Sequence, residues 1–127
     1  MNADERRLNE VTESIIGCAF AVSNALGVGY LEKVYENSML VELAHADLNA
    51  QAQRAIPVYY RETLVGQYFC DLLVEECIIV EIKHAKGIDE AHVAQVLNYL
   101  RATGFKIALI INFGKTRVEI RRVVSNL

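Results

Sequence analysis

The chain has no tryptophan, one proline, seven glycines and three cysteines among 127 residues. So few Pro and Gly exclude a disordered, low-complexity chain. Cys18, Cys70 and Cys77 are an odd set without zinc-type spacing. They exclude a disulfide framework and read as buried free thiols of a reducing cytoplasm. No apolar run approaches the ~20 residues of a membrane span. The segment Met1–Arg7 carries charges with no apolar stretch behind them. Neither a span nor a secretory leader is therefore expected, and the expected location is cytoplasmic. A net charge of -3 argues against a general nucleic-acid coat protein. It does not argue against an enzyme acting on nucleic acid, for which local basic surface is what counts. What the chain does have is 53% hydrophobic residues, enough at this length for a single domain, 1–127, with one core.

Leu8, Val11, Ile15, Ala19, Val22 and Leu26 recur at three- and four-residue steps. They predict a helix from about Asn9 to Leu26, capped by Asn9 or Thr12. Gly27-Val28-Gly29 breaks it. A second helix is predicted from Tyr30 or Leu31 to about Ala46, with Leu31, Val34, Tyr35, Leu40 and Leu43 as its apolar face. Ala55–Arg61 reads as a strand, and Pro57 assigns it to an edge or a strand start. Glu62-Thr63 reads as a turn. The apolar stretch that follows, to Lys83, completes a three-strand antiparallel meander. Asp89 is positioned to cap a helix from Glu90 to Thr103, with Gly104 closing it. Phe105–Asn112 is almost continuously apolar, the pattern of a strand buried on both faces. Thr116–Val124 alternates as a last strand. The predicted class is α/β: a mixed central sheet, made of the meander, a crossover helix and further strands, with helices on both faces.

One stretch concentrates the chemistry. Phe69–Val74 and Cys77–Lys83 are apolar strands joined by Glu75-Glu76 and interrupted by Asp71, Glu81 and Lys83. Charge inside such strands costs several kcal/mol unless it is paired or holds a metal. Alternation puts Glu81 and Lys83 on one face and Ile78, Val80 and Ile82 on the other. Magnesium takes hard oxygen ligands and commonly only one or two carboxylates. Asp71 and Glu81, on neighbouring strands, can converge on one such ion, with the carbonyl of Ile82 as a further ligand. Lys83 can reach the polarised water or a scissile phosphate. The plainer alternatives are solvent-facing strand acids and a Lys83 that only pairs with Glu81.

Asp71 followed by Glu81-Ile82-Lys83 resembles the Asp…(Asp/Glu)-x-Lys signature of the PD-(D/E)XK nuclease superfamily, with Cys70 where the name has Pro. Gln95-Val96-Leu97-Asn98-Tyr99 resembles the Gln-x-x-x-Tyr motif of its RecB-like members. Gly29-Tyr30-Leu31-Glu32-Lys33-Val34-Tyr35 resembles the hallmark of the GxxExxY family within it. The resemblance implies a restriction-endonuclease-like core. It also implies a metal-dependent nuclease that hydrolyses nucleic-acid phosphodiester bonds with Mg2+ or Mn2+. It makes Asp71, Glu81, Lys83 and Gln95 catalytic, and gives Glu32 to the metal together with Asp71, Glu81 and Ile82.

Tyr99 and Tyr35 then belong to the substrate side, with His92, one helical turn before Gln95, and Lys86 of the basic set Lys83, Lys86, Lys115, Arg117, Arg121 and Arg122. For Glu32 a helix-start acid, for Tyr35 a core ring and for His92 an ordinary surface group are the competing readings. The expected partner is nucleic acid, DNA ahead of RNA, with no membrane, and pairing of two copies stays open. The rival function is a nuclease-fold module that binds nucleic acid or protein with little or no catalysis.

Overall fold

The computed structural model describes residues 2–125. Its elements run α1 (Ala3–Leu26), α2 (Glu32–His45), β1 (Ala50–Tyr60), β2 (Thr63–Val74), β3 (Ile78–Lys83), α3 (Glu90–Thr103), β4 (Ile107–Asn112) and β5 (Glu119–Val124). The five strands lie side by side in chain order. All neighbours are antiparallel except β3 and β4, which α3 joins as a crossover. This is the α/β architecture expected: a meander, a crossover helix and a buried strand in one mixed sheet.

The apolar pattern explains the layers. Ile78, Val80 and Ile82 of β3 and Ile107, Leu109 and Ile111 of β4 face α1 and α2, meeting Val11, Ile15, Val22, Met39 and Leu43. Ile79, Ala108 and Ile110 face α3, meeting Val96, Tyr99 and Leu100. Every residue of β4 is buried, as a strand covered on both faces requires. Among the described residues no helix is long and apolar enough to cross a membrane.

β1 starts at Ala50 rather than Ala55, β4 at Ile107 rather than Phe105 and β5 at Glu119 rather than Thr116, and three further differences have a physical cause. α1 begins at Ala3, not near Asn9, because the Asn2 side chain accepts the Glu5 N–H at 2.8 Å. Thr12 is inside the helix, its hydroxyl donating to the Leu8 carbonyl. The first two turns are charged and show no apolar period, so periodicity started the helix late. The β1–β2 turn is Arg61-Glu62, one residue earlier than expected, with φ of 47° and 68°. The third difference is the face of α2. It buries Tyr35, Glu36, Met39 and Leu43, whereas Leu31 and Val34 are exposed.

The β1–β2 hairpin reaches well past β3. Its tip, where Tyr60 pairs with Thr63, is eight residues beyond Asp71, roughly 26 Å of strand. Tyr59, Tyr60, Leu64, Val65, Tyr68 and Phe69 are exposed along this arm.

Candidate metal-binding active site

The sheet forks at Asp71. Leu72 and Val74 face α1 and α2, while Leu73 faces α3, which is ordinary alternation. Cys70 also faces α3, so alternation breaks between residues 70 and 72. The β1–β2 ladder pairs Ala52 with Leu72 and Arg54 with Cys70, passing over Gln53 and Asp71. Gln53 sits in the left-handed region at φ 53°. The β2–β3 ladder stops at Leu72–Val80.

Beyond that last pair, carboxylates take over from the ladder. The Asp71 N–H donates to Glu81 Oε1 at 2.9 Å, and the Ile82 N–H donates to Asp71 Oδ2 at 2.7 Å. Each acid is thus fixed by the main chain of the opposite strand. Glu81 Oε2 has no hydrogen-bond donor among the described residues, and Asp71 Oδ1 has only Gln53 Nε2 at 3.4 Å. One hard oxygen on each acid remains available.

The electrostatics follow from crowding acids in a place with little water. Glu81 is 4% exposed. Its burial, and next the Asp71 charge, push its carboxyl up to about 8. Burial also raises Asp71, against the pull of the Ile82 N–H, and the charge of Glu36 adds to it. Glu32, exposed at the first position of α2, is raised by partial desolvation and then by the charge of Asp71, which places it within electrostatic reach of the pair. Three carboxyls raised together, with one ammonium beside them, form a site that favours bound positive charge.

From the other face, α3 contributes the cation's anchor. Lys83 Nζ donates to Gln95 Oε1 at 3.1 Å. Tyr99 lies one helical turn beyond Gln95 on α3, and its hydroxyl is pushed up to about 12 by burial and then by the charges of Glu81 and Asp71. Asp71, Glu81, Glu32, Lys83, Gln95 and Tyr99 are therefore one electrostatic neighbourhood. Ile82 enters it through its N–H.

The remaining expected residues are placed differently. Tyr35 is fully enclosed, so it does not present itself to a substrate. Its hydroxyl donates to the Gly27 carbonyl at 2.6 Å and accepts the Tyr30 N–H at 3.3 Å. Its ring stacks on Phe113 with centroids 4.7 Å apart. His92 completes a capping box with Asp89, its Nδ1 accepting the Asp89 N–H at 3.2 Å. Lys86 is exposed on the loop after β3.

Two site residues escaped sequence reasoning. Glu36 is 4% exposed. It pairs with Lys33 and accepts Gln53 Nε2 at 2.9 Å, the amide that also reaches Asp71. A signal existed for Glu36: it precedes Met39 and Leu43 at helical spacing, on the stripe that α2 buries. Nothing in the sequence marked Gln53.

The donor set suits a hard divalent ion. It offers carboxylate oxygens; the nearby Cys70 thiol is buried, points to the Leu72 carbonyl and is pushed up to about 12. No group of three or more His, Cys, Asp and Glu among the described residues has metal-holding geometry, and a magnesium-type site with one or two carboxylates does not require one.

The comparisons with known proteins bear on the family and the fold. No curated protein matches the chain significantly. The fold is similar to that of the crystal structure of SSO0001, with a TM-score of 0.56 at 16% sequence identity over 75% of this chain. The match covers 50% of that protein, so the chain spans about half its length. A family profile for the PD-(D/E)XK nuclease superfamily matches residues 9–123, nearly the whole chain. Together with the forked strands and their acids, that match establishes that the chain belongs to the PD-(D/E)XK nuclease superfamily.

Proposed function

We propose that this chain is a divalent-metal-dependent nuclease of the RecB-like, GxxExxY type, cleaving phosphodiester bonds with Mg2+ or Mn2+. One observation carries the reading: Asp71 and Glu81 hold each other's strands through N–H bonds at 2.9 Å and 2.7 Å, while one oxygen of each stays available. Asp71 and Glu81 would hold the ion, with the Ile82 carbonyl as a further ligand and Glu32 adding negative charge from α2 rather than a third carboxylate ligand. When bound, such an ion lowers the pKa of a coordinated water and neutralises phosphate charge.

The chain's own residues do the rest. Gln95 holds the Lys83 ammonium beside the acids. There it offsets charge that builds on the phosphoryl oxygens during in-line attack. Gln95 is carried on α3, so its position is set by the helix before substrate arrives. The β1–β2 arm extends past the end of β3 on one side of the acids, and the loops after β3 and β4 lie on the other.

The test is a cleavage panel of labelled duplex and single-stranded DNA and RNA with Mg2+ or Mn2+, run beside Asp71→Ala and Lys83→Ala. The expected result is metal-dependent cleavage that falls at least ~100-fold in each variant. Cleavage unchanged in both variants would refute the proposal.

A further inference from the structure

Charge is distributed very unevenly along the chain. Residues 1–100 carry seven Lys and Arg against fifteen acids; residues 101–127 carry six against only Glu119. A chain that is acidic overall thus has a basic end, and such asymmetry points to an anionic polymer as partner.

The fold brings part of that end to the active site. β3 and β4 are parallel, with Lys83 in register with Asn112. Their following loops therefore leave the sheet on the same side, just past Glu81. Buried Asn112 fastens the two loops together: its Oδ1 accepts the Ala85 N–H at 2.9 Å and the Gly114 N–H at 3.0 Å, and its Nδ2 donates to the Ala85 carbonyl at 3.0 Å. Gly114 lies so close to Ala85 that a Cβ there would meet its carbonyl oxygen at 2.4 Å. Phe113 binds the Lys83 carbonyl through its N–H at 2.9 Å and stacks on Tyr35. Tyr35 in turn holds the Gly27–Tyr30 loop. Between that loop and the 114–119 segment runs an open groove of about 590 Å³, lined by Val28, Lys115, Thr116, Arg117 and the acidic residue Glu119 among others.

The cations on this ledge are exposed. Lys86 and Arg117 make no ion pair among the described residues, and Lys115 reaches Glu119 only at 4.0 Å. No aromatic side chain lines the groove itself, although exposed His84 and Tyr30 lie on the adjoining loops. The arrangement suits phosphates.

We propose that the loops 84–88 and 113–118, locked by Asn112, form a preformed ledge that binds the sugar–phosphate backbone of the nucleic acid, independent of sequence, and leads it to the acids. The ledge rests on the nuclease reading for its substrate.

Its test is binding of a labelled duplex DNA of about 20 base pairs at several salt concentrations, without divalent metal. The intact chain is compared with the variant Lys86→Gln, Lys115→Gln, Arg117→Gln. Three lost phosphate contacts predict a salt slope shallower by roughly 2 to 3 and an affinity at least ~10-fold weaker at low salt. The same slope and affinity in both proteins would overturn the ledge and leave the nuclease reading standing. Binding of anionic vesicles but of no nucleic acid by the intact chain would overturn both. All three substitutions are at exposed positions, and a Mn2+ titration of the variant reports that the acids stay in place.

Discussion

Ionising Glu81 puts a second negative charge beside Asp71 where little water can screen it, which is why its carboxyl is lifted to about 8. The folded chain then holds this proton more tightly than the unfolded chain, whose Glu titrates near its ordinary value of 4.5. Between those two values the folded state binds more protons, so stability falls as pH rises through the window. Asp71 and Glu32 are raised too and act in the same direction. Thermal melts of the metal-free protein are expected to show Tm declining from about pH 5 to about pH 8. Glu81→Gln should flatten that decline and stabilise the protein at the upper end by on the order of 3 kcal/mol. Gln53 offers a complementary test. Its side chain links Glu36 to Asp71, but its backbone occupies a conformation that favours glycine. Gln53→Gly is expected to keep stability within about 1 kcal/mol, because relief of backbone strain offsets the lost hydrogen bond. Mn2+ affinity should nonetheless drop about 10-fold, the usual consequence of removing a group that orients a ligand.

At the scale of elements, punctuation decided what could be read. α3 was legible to the residue because Asp89 and Gly104 bracket it, and the structure shows both caps in use. β4 was legible because only a doubly covered strand is apolar throughout. The Glu75-Glu76 turn was found from the strands beside it, since two acids at φ 53° and 54° are not a turn signal of their own. The face of α2 was misread because Leu31 and Val34, which look like core, are exposed. Glu36, which looks like surface, is buried where it can reach Gln53. The fork itself was invisible: the residue opposite Asp71 that turns left-handed is a glutamine, not a glycine. Asp71, Glu81 and Lys83 stood out as candidates because paired acids and a lysine in apolar strands are conspicuous wherever the backbone bends, and Gln95 stood out through its motif; the structure links Asp71 to Glu81 and Lys83 to Gln95. The joint between the β3 and β4 loops makes its own prediction. Gly114→Ala forces its Cβ against the Ala85 main chain and should cost about 2 kcal/mol, read as a Tm lowered by several degrees.

For the whole molecule, the proposed cation site couples folding to cation binding. The acids are assembled from α2, β2 and β3, elements that come together only in the folded chain. A cation that binds the folded state stabilises it by mass action. At 100 times its Kd, Mn2+ is expected to add about 2.7 kcal/mol, and chelation should remove that gain. The gain should grow as pH rises toward 8, since the metal competes with the proton on Glu81.

The claim on which the rest depends is that Asp71 and Glu81 share one divalent ion, and calorimetric titration of Mn2+ near pH 8 tests it most directly. The account predicts one ion per intact chain, with binding abolished by Asp71→Ala and by Glu81→Gln while both variants stay folded. No binding by the intact chain, or equal binding by the variants, would contradict it.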